Sequence, residues 1–91
     1  MSEQELIAYV DRMGEILVLA ETSDLSLLAE LHTGFEAVSS WACTCDLASL
    51  GEIAKAAAMM VERIILEEEN RPAEALEELR EVSGHIQGIV S

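Results

Sequence analysis

Ninety-one residues make one domain, 1–91, near the lower limit for a chain that folds without a disulfide or metal staple. Half of the residues are apolar but only one Phe, one Tyr and one Trp are present, so the core is built from Leu, Ile, Val, Ala and Met, which suits packed helices better than a β-sandwich. A net charge of −13, with Arg12, Lys55, Arg63, Arg71 and Arg80 scattered, leaves no basic patch for nucleic acid or an anionic membrane.

Leu6, Val10, Met13, Leu17 and Ala20 step by three or four residues, which is one stripe of a helix. Ser2 followed by Glu5 reads as a capping box and places the start at residue 3. Glu21-Thr22-Ser23 breaks the pattern, and Asp24 is a good N-cap for a second helix. That helix carries Leu28, Leu31, Phe35, Val38 and Ala42 as its stripe, with Leu27 alongside. At roughly 100° per residue, Glu36 falls away from the stripe and Ser40 faces outward. His32 lies one i,i+4 step from Glu36, so the two are surface neighbours. Trp41 falls at the opposite border, where an indole can bury its ring and keep its N–H near water.

Thr44 or Asp46 is expected to cap a third helix bearing Leu47, Leu50, Ala54, Ala57, Val61 and Ile64. Its alanine-rich middle favours helix and leaves room for a close neighbour. Glu67, Glu68 and Glu69 end it, and three carboxylates there oppose the macrodipole, so fraying is expected. Pro72 suits the first turn of a fourth helix, whose stripe is Leu76, Leu79, Val82, Ile86 and Ile89. Gly84 and Gly88 weaken it by about 1 kcal/mol each relative to alanine. Four amphipathic helices joined by short loops specify an all-α, antiparallel up-down-up-down four-helix bundle.

No basic segment opens the chain, and Ile16–Ala20 is too short for a membrane span, so a cytoplasmic location is expected. Cys43 and Cys45 would then be reduced, and they read as structural, because two thiols alone do not complete a zinc site. No Glu-x-x-His pair, phosphate-binding glycine loop or Cys-His or Ser-His constellation is present, so neither a metal nor a cofactor is expected. Met13, Met59 and Met60 read as core, and His85 as the helix partner of Glu81.

The run Glu36-Ala37-Val38-Ser39-Ser40-Trp41, the capping position of Asp24, and the stripe Leu50, Ile53 and Ala54 together resemble the histidine-containing phosphotransfer (HPt) family. The likeness is closest to the amino-terminal domain of chemotaxis-type histidine kinases and spans nearly the whole chain. That family carries His-x-x-Lys-Gly on its second helix, with a second glycine further on. Here Glu36 stands at the histidine position, Ser39 at the lysine, Ser40 at the first glycine and Asp46 at the second. The resemblance therefore implies a degenerate, pseudo-phosphotransfer domain.

A carboxylate is a poor substitute for a neutral imidazole as nucleophile toward an anionic phosphoryl group, and no lysine follows to offset the charge. No enzymatic activity is expected. What the resemblance leaves is a two-component signalling module that docks a response-regulator receiver domain or a histidine kinase through His32, Glu36, Ser39 and Ser40. Two alternatives stand beside it. One is active phosphorelay through His32. The other is a structural helical domain that self-associates, as a homodimer, through Trp41 or an apolar edge of the fourth helix.

Overall fold

The computed structural model describes residues 3–21 and 23–90. Among them are four helices and no strand: α1 (Glu3–Leu19), α2 (Leu25–Thr44), α3 (Ala48–Ile65) and α4 (Pro72–Val90). Each packs on its neighbours in a ring, α1 on α2, α2 on α3, α3 on α4, and α4 back on α1. The connections at 20–24, 45–47 and 66–71 are short, so successive helices run antiparallel. Principal extents of 34 × 21 × 19 Å are one helix long and two helices across. The architecture is the four-helix bundle that the periodicity specifies.

The apolar stripes meet on the bundle axis. Leu6, Val10, Met13, Leu17 and Ala20 are all buried, joined by Ile16. So is the whole stripe Leu28, Leu31, Phe35, Val38 and Ala42 of α2. From α3 come Leu50, Ala54, Ala57, Ala58, Val61 and Ile64, and from α4 Ala75, Leu76, Leu79 and Ile86. Val82 is half-buried against this core.

Several expectations are corrected. The Ser2 capping box lies outside the described residues. Asp24 stands at the N-cap of α2, but its carboxylate caps nothing: Oδ2 accepts the N–H of Glu21 at 2.9 Å and braces the preceding loop. Neither Thr44 nor Asp46 caps α3. The Thr44 hydroxyl donates back to the Ser40 carbonyl at 3.0 Å, and the N-cap position falls to Leu47, which is exposed and not part of the stripe. Ile89 is exposed because it trails Ile86 by three residues, about 60° round the helix, and leaves the buried face. Met59 is 56% exposed, unlike Met13 and Met60. Cys43 follows the last core position of α2 and Cys45 is its C-cap, so both thiols are free and exposed rather than structural. Glu81 and His85 are exposed and make no ion pair with each other.

Two helix ends are closed the same way. After α2, Asp46 takes a left-handed conformation (φ 58°) and the Leu47 N–H donates to the Ala42 carbonyl at 2.8 Å. After α3, Glu67 does the same (φ 59°), with the Glu68 N–H on the Arg63 carbonyl at 2.9 Å and the Glu67 N–H on Ile64 at 3.2 Å. These are Schellman turns, which usually place glycine at the left-handed position. Here an acidic residue occupies it twice. The end of α3 is therefore hydrogen-bonded shut ahead of the acidic run that was expected to fray it.

The end of α1 is closed from a distance. No basic residue lies in its last turn, and Arg80 of α4 supplies one: its Nε donates to the Leu17 carbonyl at 2.7 Å while the guanidinium also pairs with Glu77. A cation there satisfies an orphan carbonyl and opposes the negative end of the helix dipole. Arg12 links α1 to α2 through Glu30 at 3.2 Å. The hydrogen bonds that Arg12 donates to Glu30, and the charge of that carboxylate, with a smaller contribution from Glu15, raise the guanidinium pKa above its ordinary value.

At Gly34 the backbone of α2 lies against the Met13 side chain of α1. Both residues are buried, and a Cβ at position 34 would overlap the Met13 Sδ. Alanine normally gains about 1 kcal/mol over glycine in a helix, but overpacking a filled core costs about 1–3 kcal/mol. Gly34→Ala is expected to lower stability by a net of up to about 2 kcal/mol in urea unfolding, and the same substitution made in a Met13→Ala background should cost nothing further, the two being coupled. At the end of α3 the sign reverses. Glu67→Gly is expected to raise the urea midpoint by the equivalent of about 0.5–1 kcal/mol, since glycine adopts the left-handed conformation without steric cost. A lower midpoint would contradict the role assigned to that turn.

Candidate functional site

The four residues singled out from the sequence come together. His32, Glu36, Ser39 and Ser40 of α2 form one wall of an open groove of about 390 Å³. Lys55, Ala58, Met59 and Glu62 of α3 form the other. Both walls follow from helical spacing: 55, 58, 59 and 62 lie on one face beside the core stripe of α3, as 32, 36, 39 and 40 lie beside that of α2.

Small residues set the groove's narrow end. A Cβ on Gly51 would lie 3.6 Å from that of Ala42, so the two helices pass close there. The Ser39 hydroxyl donates to the Gly51 carbonyl at 3.2 Å, a partly buried bond that pins α2 to the first turn of α3. Ser39 is thus committed to the fold, while Ser40 is exposed and free to meet a partner.

The charged groups of the groove are unevenly satisfied. His32 Nε2 lies 3.3 Å from Glu36 Oε1, with the histidine side chain 28% exposed and the glutamate 63%. The i,i+4 neighbourhood expected from the sequence is therefore a direct contact. Lys55 makes no ion pair among the described residues, although Arg12, Arg71 and Arg80 all do. It leaves an ammonium facing solvent across the groove from α2, where strong hydration and a flexible stem suit it to a mobile partner charge.

A shallower depression of about 360 Å³ adjoins the groove at Ser40 and is lined by Ala37, Trp41, Thr44 and Cys45. Trp41 is half-buried, its ring packed against the core. Thr33, on the exposed flank of α2, turns its hydroxyl back to the Ala29 carbonyl at 3.1 Å. The groove and the depression share Ser40, and together they make one surface of mixed polar and apolar character with an aromatic edge.

The imidazole of His32 is faced by a carboxylate, and Glu36 itself projects outward from the middle of α2. No group of three or more His, Cys, Asp or Glu side chains among the described residues could hold a metal ion. Among the described residues no helix is long and apolar enough to cross a membrane.

The α3 wall was missed in the sequence. Its spacing of i, i+3, i+4 and i+7 was readable, but Met59 had been absorbed into the expectation of a core, and Lys55 and Ala58 into a helix-favouring run. Compared with family models, curated proteins and solved structures, the chain matches none of them.

Proposed function

We propose that the chain is a non-catalytic signalling module whose α2–α3 groove docks a protein partner, a response-regulator receiver domain or a histidine kinase of a two-component pathway. One observation carries this reading. The positions that resemble the phosphotransfer motif, with Glu36 for the histidine and Ser39 and Ser40 for the lysine and glycine, line one exposed groove with His32. Small side chains at 37, 39 and 40 let a partner approach the helix backbone closely, and the outward Glu36 gives it a charge to read.

The unpaired ammonium of Lys55 offers a cation on the wall opposite Ser39, in a chain that is otherwise strongly acidic. Receiver domains carry carboxylates at their phosphorylation site, and a cation in the groove favours such a face over a neutral one. Competition or sequestration, rather than transfer, is the role that a surface with a carboxylate at the histidine position supports. Phosphorelay through His32 is disfavoured because a phosphoryl group entering at Nε2 meets the Glu36 carboxylate 3.3 Å away.

The test is a calorimetric titration of the chain with receiver domains and with kinase dimerisation domains. Saturable binding with a Kd tighter than about 1 mM is expected for at least one of them. Ser40→Trp, which fills the groove without touching the core, should weaken it at least tenfold, or about 1.4 kcal/mol. Lys55→Glu should weaken it and reduce its salt dependence. Absence of saturable binding to every candidate, or binding indifferent to Ser40→Trp, removes this function from consideration.

A further inference from the structure

The α1–α4 side of the bundle lies opposite the α2–α3 groove. There Gly14 of α1 and Ser83 and Gly84 of α4 line an open pit of about 210 Å³, together with Leu17 and Val18 of α1 and Arg80 and Gln87 of α4. Ser83 is 3% exposed, and its Oγ has no hydrogen-bond partner among the described residues. A buried hydroxyl without a partner is costly, and here it sits in the lining of a cavity that a polar group could enter.

Gly88 continues the strip one turn further along α4. A Cβ at Gly84 or at Gly88 would meet nothing within 4 Å. The chain's own packing therefore gives no reason for glycine, although glycine weakens a helix at both positions. Glycines four apart on an exposed face let the backbone of a second helix come close. Val18 at the rim is 76% exposed, and Ile89 beyond the second glycine is exposed as well.

Charge decides what can lie on this strip. Glu74, Glu77, Glu78 and Glu81 crowd the first half of α4, whereas residues 82–90 carry no carboxylate. Two parallel copies of α4 would set acid against acid. Two antiparallel copies, crossing near Ser83 and Gly84, set each acidic half against the uncharged half of the other. They also bring Glu81 near His85 of the second copy, and neither residue has an ion pair among the described residues of its own chain. An isologous two-fold contact satisfies both copies at once.

We propose that α4 forms a two-fold homodimer contact, with Gly84 and Gly88 admitting the antiparallel α4 of a second copy and a partner side chain entering the pit over Ser83. The α2–α3 groove stays open on the far side of each copy, so dimerisation and docking are independent.

Sedimentation equilibrium of the full chain, under reducing conditions that keep Cys43 and Cys45 from cross-linking, tests this from about 10 µM to about 1 mM, where contacts of moderate affinity are resolved. The buffer should hold about 0.15 M salt, where charges further apart than about 8 Å are screened. The wild type is expected to shift from monomer to dimer across that range. Gly84→Leu with Gly88→Leu should weaken the dimer at least tenfold while the helical circular dichroism persists, leucine being the better helix former. Ser83→Ala should weaken the dimer several-fold without lowering the thermal midpoint measured at concentrations where the chain is monomeric. A wild type that stays monomeric throughout, or a dimer unmoved by the double leucine variant, overturns the proposal.

Discussion

How closely the helices can approach one another is the constraint on which the rest of this molecule depends. With a single phenylalanine in the core, volume has to be filled by aliphatic side chains at short interaxial distance. Gly34 lets Met13 of α1 lie against the backbone of α2, and Ala42 beside Gly51 does the same between α2 and α3. Ala54, Ala57 and Ala58 keep the inner face of α3 thin. The α2–α3 groove is a by-product of that closeness: two helices that nearly touch at Gly51 leave an open trough along their outer edges.

Charge acts on a different scale. Eighteen carboxylates against five basic side chains make long-range repulsion unavoidable, and three of the five cations, Arg12, Arg71 and Arg80, are placed where they do local work. Arg80 closes the end of α1, and Arg12 bridges to α2. Arg71 pairs with Glu74 in the first turn of α4. Most of these pairs are exposed and contribute little to stability. The partly buried bond from Arg80 to the Leu17 carbonyl is the exception, because it satisfies a backbone group that has no partner within its own helix.

Much of this was legible in the sequence. The stripes of α1 and α2 are buried residue for residue, since period and hydrophobicity alone select the inner face of an amphipathic helix. The candidate wall of His32, Glu36, Ser39 and Ser40 was likewise readable, being a local property of one helix. What escaped was either non-local or off-preference. Nothing in the neighbourhood of Arg80 announces a carbonyl sixty-three residues away. Asp24 has the chemistry of a cap, but the N–H of Glu21 competes for the same oxygen. The left-handed stops at Asp46 and Glu67 lack the glycine by which such turns are recognised. Ile89 and Met59 are apolar without being buried, and periodicity alone does not separate the edge of a stripe from its centre.

Trp41 gives the molecule a spectroscopic property of its own. It is the only indole in the chain, half-buried, and lines a depression that shares Ser40 with the groove and includes the Cys45 thiol. An occupant pressing on Ser40 changes the solvation of that ring without touching any other fluorophore of comparable strength. The bundle thus reports optically on its own groove, with no dye attached.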